Sequence, residues 1–281
     1  MMDDCGEDIV FSLVVYNEFY WEVESFKSLL SSYYKSGTSK SLNVYIFDNT
    51  VIQKKNEEPY FEKINIKYLA FGENMGISKS YNYLVDVASN EGFEWIVFLD
   101  QDTRLSLDFY HKYIETISEL NLKKVDIAVP IVKSGTKILS PSLYKNYRTK
   151  LLDSIPSIIC LNDYSAINSG LLINCEFFSK VGGYNEELFL DFCDHDFFLK
   201  IKQYRKSIFV IDTELQQDFS AETDSMDKAL TRYKLFIKDL NSFKRNRNQL
   251  VLLFLVDIPH LLKLLLKYKS LKFLKYRLNK K

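Results

Sequence analysis

The chain has 281 residues, of which 47% are hydrophobic and 26% charged, with a formal net charge of zero. That length and apolar share suit a packed core in one large domain or two small ones, and they exclude a disordered chain. Four cysteines without C-x-x-C spacing and three histidines indicate neither a zinc site nor a disulfide framework, so Cys5, Cys160, Cys175 and Cys193 read as reduced, mostly structural thiols.

The first strand-like run is Ile9 to Val15, and Asn43 to Phe47, Ile64 to Ala70 and Trp95 to Leu99 repeat its short apolar pattern, as buried parallel strands do. Met1 to Asp8 before it is acidic, and the apolar run is too short for a signal peptide, so a cytoplasmic location is expected. Helix-like stretches lie between the strands at Tyr20 to Tyr34, Ile77 to Ser89 and Leu107 to Leu120. The alternation predicts an α/β domain with a mainly parallel central sheet flanked by helices.

After Val125 to Pro130 the pattern loosens, and Ser134 to Pro156 reads as loops or an excursion over a site. It tightens again at Ala166 to Ile173. A helix is expected at Glu176 to Val181, ended by Gly182-Gly183, with another at Phe197 to Tyr204 and a strand at Ser207 to Ile211.

Polar residues follow the apolar runs as Asn17-Glu18, Asp48-Asn49 and Asp100-Gln101-Asp102, where an open α/β sheet places its ligand crevice. Asp and Asn also follow strands simply as turn formers and caps; three such clusters together favour a site. Asp100 and Asp102, one residue apart at the end of a strand, suit a divalent cation such as Mg²⁺ or Mn²⁺, which takes oxygen ligands and keeps places for water and phosphate. Alone, Asp-x-Asp is a weak signal, because it arises by chance in many loops.

Six segments in order carry a further signal: Val14 to Asn17, Phe47 to Thr50, Asn74 to Asn82, Phe98 to Thr103, Asn168 to Gly170 and Gly182 to Lys200. Over roughly residues 9 to 220 they resemble the family 2 inverting glycosyltransferases of the GT-A nucleotide-diphospho-sugar transferase fold, and among them the bacterial rhamnosyltransferase-like members. The resemblance implies a GT-A domain over residues 1–220 and a C-terminal helical, basic extension over 221–281. It implies that Tyr16, Asn17 and Asp48 border the base and ribose, and that Asn74 and Lys79 lie near the nucleotide or diphosphate. Gln101 belongs to the same donor site, Asp100 faces the ribose or shares the metal, and Asp102 ligates it. The helix beginning near Ile77, preceded by Gly76, offers its positive end to an anion, although Asn74 to Gly76 also reads as a plain turn and cap.

A second acidic cluster, Glu186 to Asp196, enters a helix. An inverting transfer needs a base to take the acceptor's hydroxyl proton, and by position Asp194 matches the family's base. Asp191 and Asp196 orient it, cap the helix or touch the acceptor, and Gly170 belongs to the same acceptor side. The plainer reading is that such acids only stabilise a helix N-terminus. His195 reads as a surface or supporting residue. One departure concerns the metal: where many relatives place a histidine after the last strand, this chain has Leu215-Gln216-Gln217, which points to Mg²⁺ dependence, weaker metal binding or water-filled coordination.

From Lys244 to Lys281, 11 Lys and Arg face one acid, Asp257, a net +10 that leaves the first 243 residues at −10. Leu250 to Val256 is apolar for seven residues before Asp257 and Pro259, too short to cross a bilayer. Beyond it Leu261, Leu264, Leu265, Tyr268, Leu271, Leu274 and Leu278 form a helical stripe beside Lys263, Lys267, Lys272 and Lys275, which suits the surface of an anionic membrane. Packing on the body or on a second subunit is the alternative. The expected function is transfer of a sugar, rhamnose among the candidates, from a dTDP-, UDP- or GDP-sugar to a saccharide or lipid-linked acceptor in surface polysaccharide synthesis. The enzyme would be peripheral on the cytoplasmic face of the membrane. A catalytically silent subunit of a polysaccharide-building complex is the second reading. A nucleic-acid module is the third, disfavoured by the Leu-rich tail and acidic body, so no nucleic acid is expected as a partner.

Overall fold

The computed structural model describes residues 8–52, 59–217 and 225–279; Cys5, the expected boundary between 220 and 221, and Lys280 and Lys281 of the basic tail lie outside them. In chain order the first part contains β1 (Ile9–Val15), α1 (Glu24–Ser36), β2 (Leu42–Asp48), β3 (Ile64–Ala70), α2 (Gly76–Asn90), β4 (Trp95–Asp100), β5 (Thr103–Arg104) and α3 (Phe109–Lys123). Strands β3, β2, β1 and β4 lie side by side and parallel. The apolar runs of β1, β2 and β4 are explained by burial on both faces, whereas β3, at the edge, has no fully buried residue. Along β1, Val10 and Val14 enter the core beneath α2, while Ile9, Phe11, Leu13 and Val15 enter the core beneath α1 and α3.

The second part continues the sheet with β6 (Ile127–Ser134), β7 (Lys137–Lys145), β8 (Arg148–Leu152), β9 (Ile158–Cys160), β10 (Tyr164–Ser165) and β11 (Leu172–Asn174), followed by α4 (Cys175–Val181), α5 (Cys193–Ile201) and β12 (Ser207–Gln217). Here the sheet becomes mixed: β11 lies antiparallel between β4 and β6, and β12 runs parallel to β6. Residues 134–156 are not loops, because β7 and β8 form an antiparallel pair there. The inward positions of β7 are Ile138, Ser140 and Ser142, and two buried serines hide the alternation that marks a half-buried strand. Strand β12 also runs six residues past its expected end, with Thr213 and Leu215 inward between exposed Asp212, Glu214 and Gln216. That extension carries Gln217 to the site. The helix α4 ends as expected, with Gly182 left-handed at φ 83°.

The C-terminal helices are α6 (Met226–Phe243), α7 (Gln249–Leu252), α8 (Ile258–Tyr268) and α9 (Lys272–Asn279). Tyr233, Phe236, Ile237, Leu240 and Phe243 of α6 enter the same core as α2, α4 and α5. Asp257 and Pro259 do not end the apolar segment, as the sequence led us to expect. A π-helical turn at Leu253–Asp257 joins α7 to α8, so Gln249–Tyr268 is one helix of 20 residues with mean hydropathy 1.9, long and apolar enough to cross a membrane by length and composition. The wider turn gives the proline ring room where an α-turn would clash. Only 11% of this apolar segment is buried. The stripe expected to face a membrane is partly turned inward: Leu261, Leu264, Leu265 and Tyr268 pack against the core. Leu271 and Leu278 of that stripe stay exposed, and the outward residues of the 20-residue helix are Leu250, Phe254, Leu262 and Leu266.

Candidate active site

A cavity of about 880 Å³ opens at the carboxyl ends of the parallel strands. One wall is built from strand ends and the turns after them: Tyr16, Asn49, Asn74, Asp100, Gln101, Asp102 and Gln217. Asn168 and Asp194 line its floor side, and Lys228, Thr231 and Arg232 of α6 close the other wall. The crevice therefore lies where an open α/β sheet places a ligand, with a helix from the C-terminal region completing it.

Asp100 ends β4 with both carboxylate oxygens engaged. The Tyr81 hydroxyl donates to Oδ1 at 3.2 Å and the Ser169 hydroxyl donates to Oδ2. Burial raises the carboxyl above its usual range and the nearby Asp102 charge adds to this, while the two hydroxyl bonds oppose it. Asp102 is exposed and accepts from Gln217 Nε2 at 3.3 Å, a contact created by the β5 and β12 pairing of Thr103 with Gln217. Gln101 accepts the Tyr16 N–H on Oε1 at 2.8 Å, which ties the turn after β1 to the turn after β4.

Among the described residues no group of three or more His, Cys, Asp or Glu is arranged to hold a metal ion. What the cavity offers is two carboxylates, Asp100 and Asp102, and the amide oxygen that Gln217 can present after rotation. An all-oxygen set of this size fits Mg²⁺, which keeps several waters and completes its shell with substrate phosphate.

Asp194 lies in the first turn of α5, which begins after Phe192 in a left-handed conformation at φ 66°. Burial, and then the neighbouring Asp100 carboxylate, push its carboxyl up to about 8, against the opposing hydrogen bond from the Asn168 backbone. Asp191 and Asp196 do not line the cavity. Asp191 makes a two-bond ion pair with Arg232, one arm at 2.8 Å, and Asp196 is buried against Arg247. His195 points away, stacked on Tyr144 with ring centroids 4.3 Å apart and bonded through Nδ1 to the Ser165 hydroxyl at 2.8 Å. Burial lowers it to about 4, so it is a neutral packing residue near pH 7.

Other expected site residues are placed differently. Both Asp48 oxygens serve the protein, one accepting the Thr50 N–H at 2.8 Å and the other the Tyr68 hydroxyl, and it is Asn49 that lines the cavity. Asn17 is left-handed at φ 62° and donates its N–H to Thr50 Oγ1 at 2.7 Å. Lys79 is exposed on α2 outside the cavity lining. Gly170 lies behind the wall: its carbonyl accepts the Tyr113 hydroxyl, and a Cβ there would meet Pro130 at 2.6 Å. Asn74 does line the cavity, but the helix end offered to an anion is occupied. The N–H groups of Met75, Gly76 and Ile77 go to Asn49 Oδ1, Asn74 Oδ1 and the Phe189 carbonyl. Gly76 is required because a Cβ would stand 2.5 Å from that carbonyl.

Sequence reasoning named Asn49 and Asn168 only within polar clusters or matching segments, and gave no role to Lys228, Arg232 or Asp239. For Asp239 a signal existed: it is a lone acid on the apolar face formed by Tyr233, Phe236, Leu240 and Phe243 of a predicted helical region.

Comparison with known proteins bears on the family and the fold. Over 172 residues the chain is 27% identical to the dTDP-rhamnosyl transferase RfbF of Shigella flexneri, covering 60% of this chain and 56% of that protein. The fold is similar to S. aureus TarS, with TM-score 0.55 at 16% identity, over 85% of this chain and 40% of TarS. A shorter TarS structure, residues 1-349 in complex with UDP-GlcNAc, superposes with TM-score 0.52 at 14% identity, over 83% of this chain and 66% of that one. The chain thus spans about half the length of these relatives. A family profile described as glycosyltransferase like family 2 matches residues 33–270, across both the sheet and the C-terminal helices, and the chain belongs to that family.

Proposed function

We propose that this chain is an inverting glycosyltransferase that moves a sugar from a nucleotide-sugar donor to the hydroxyl of a saccharide or lipid-linked saccharide. The observation that carries the reading is the convergence of Asp100, Asp102 and Asp194 on one cavity beside Tyr16 and Asn74. Asp194 takes the proton of the acceptor hydroxyl as its oxygen bonds to the anomeric carbon, and the bond from that carbon to the diphosphate breaks on the opposite face. Burial and the Asp100 charge raise the proton affinity of this carboxyl, which must be ionised before it accepts the proton, and a cation held beside Asp100 would favour that ionised form. Asp100, Asp102 and Gln217 would hold a divalent cation, Mg²⁺ or Mn²⁺, whose positive charge favours departure of the diphosphate. Tyr16 and Asn49 border the nucleotide, and Gln101 fixes the Tyr16 turn.

The likeness to RfbF makes dTDP-rhamnose the first donor to try, and the TarS complex makes UDP-GlcNAc the second. We take residues 1–220 as the nucleotide-sugar domain and 221–281 as the helical extension. The outward residues Leu250, Phe254, Leu262 and Leu266, with exposed Lys263, Lys269, Lys272 and Lys275 nearby, support docking on the anionic cytoplasmic face of a membrane, where a lipid-linked acceptor of a surface polysaccharide would lie.

The deciding experiment is a thermal-shift panel of dTDP-rhamnose, UDP-GlcNAc and GDP-sugars with Mg²⁺ or Mn²⁺. A nucleotide sugar at 100 times its Kd should stabilise the fold by about 2.7 kcal/mol. The shift should require the metal and vanish in Asp102→Ala. No shift with any donor would overturn the reading.

A further inference from the structure

We propose that Asp239, on α6 and outside the cavity, is a positioning residue for the segment that carries Asp194. Its carboxylate is fully buried and accepts three consecutive backbone N–H groups, from Phe189 at 3.0 Å and from Leu190 and Asp191 at 2.8 Å each. Successive N–H groups of this kind form a concave anion site, and here the anion is the chain's own carboxylate. Charge-assisted bonds to backbone are about twice as strong as neutral ones, so the three fix the path of residues 189–191 tightly.

The opposite side of the same segment is fixed as well. The Phe189 carbonyl accepts the Ile77 N–H at 2.8 Å, and the Phe189 backbone and ring press on Gly76, where no Cβ fits. Residues 189–191 are thus held between the start of α2, at the donor wall, and α6. Immediately beyond them Phe192 turns left-handed and α5 begins, and Asp194 follows in its first turn. Arg232, about two turns before Asp239 on α6, adds a second tether through Asp191. The distance from Asp194 to the reacting atoms is therefore set by α6 through Asp239. A displacement of about 1 Å at a reacting group can cost roughly 10²-fold in rate, which is why a residue that touches no substrate can govern turnover.

The catalytic part of this inference rests on the proposed sugar transfer; the structural part does not. The test uses the full chain carrying Asp239→Asn, which keeps the size but turns one accepting oxygen into an NH₂ facing the N–H groups. Amide hydrogen exchange over residues 186–196 should quicken roughly tenfold or more while β1 and β4 keep wild-type protection. In the same protein kcat should fall roughly tenfold or more with KM for the nucleotide sugar unchanged. Asp239→Glu, which restores the carboxylate, should recover part of both losses. If Asp239→Asn does not fold, Asp239→Glu is read by the same two measurements, since one added methylene must shift the segment in the same sense.

Wild-type exchange over residues 186–196 would overturn the proposal, as would a rise spread evenly over the chain or a kcat within twofold of wild type. A wild-type chain that transfers no sugar would defeat the proposed function instead, leaving Asp239 to be judged by the exchange data.

Discussion

In β1 every residue from Ile9 to Val15 is buried and six of the seven are apolar, whereas the C-terminal helices bury Asp239 and Asp257 and leave Leu250, Phe254, Leu262 and Leu266 in solvent. The first arrangement is driven by removal of apolar surface from water and tolerates any well-packed apolar side chain. The second places carboxylates where only specific partners make them tolerable: three N–H groups for Asp239 and the Arg277 guanidinium for Asp257, with Nε at 3.0 Å. Apolar packing builds a sheet whose polar strand ends line the cavity. Buried charge instead fixes one arrangement, here the approach of α6 to the segment ahead of Asp194, and the contrast makes the α6 region part of the cavity rather than an appendage.

The largest effect expected falls at the point where the two regions meet. Asp194→Asn should lower sugar transfer roughly 10²-fold or more, measured with dTDP-rhamnose or UDP-GlcNAc, while the fold stays intact by circular dichroism. Transfer within a few-fold of wild type would remove Asp194 from the reaction.

Next in size is the buried pair. Arg277→Gln leaves Asp257 charged and nearly enclosed, and should destabilise the chain by about 3 kcal/mol in urea unfolding. Arg245→Gln breaks a pair with Glu187 whose side chains are 61% and 52% exposed, and should cost under about 1 kcal/mol. Equal losses would mean that burial does not separate the two classes of charge.

A smaller effect concerns pH. His195 is held at about 4 when folded against 6.5 in the unfolded chain, so the unfolded state binds more protons below 6.5. The stability from burying neutral His195 is complete above 6.5 and is lost as pH falls through 4. The drop in melting temperature between pH 7 and 4 should be shallower in His195→Gln, and an unchanged slope would assign the acid sensitivity elsewhere.

Smallest in stability is the outward apolar face. Leu262→Asn with Leu266→Asn should change unfolding free energy by no more than about 0.5 kcal/mol per site, because both side chains are exposed. The same pair should reduce sedimentation with anionic vesicles. Equal recovery of variant and wild type would remove the membrane from the account of these helices.

Much of the N-terminal half was legible before any coordinates. The bounds of β1 and β3 match their apolar runs residue for residue; β1, buried on both faces, shows its core directly in the sequence, while β3 includes Asn65 and Lys67 and has no fully buried residue. The Asp100-Gln101-Asp102 turn was legible too, since strand ends announce themselves in local composition, but α5 starts at Cys193, four residues before the expected Phe197, so the helix that carries Asp194 was read late. Strand β7 was not, because Ser140 and Ser142 occupy inward positions that the pattern reserves for apolar residues. Nor was the true outward face of α8, since a leucine-rich helix has more apolar positions than one face needs, and only contact with α6 and α9 decides which turn inward.

By itself the sequence determined an α/β chain with carboxylates at the ends of its strands and a basic, leucine-rich C-terminal segment. The tertiary structure alone decided that Asn49 rather than Asp48 meets the cavity, that Gln217 reaches Asp102, and that Asp239 reaches across 48 to 50 residues of chain to hold the path to Asp194. The physical reason is range. Hydrophobic periodicity is a property of neighbouring residues, while the partner of a buried polar group is set by which distant segment the packed core brings within about 3 Å.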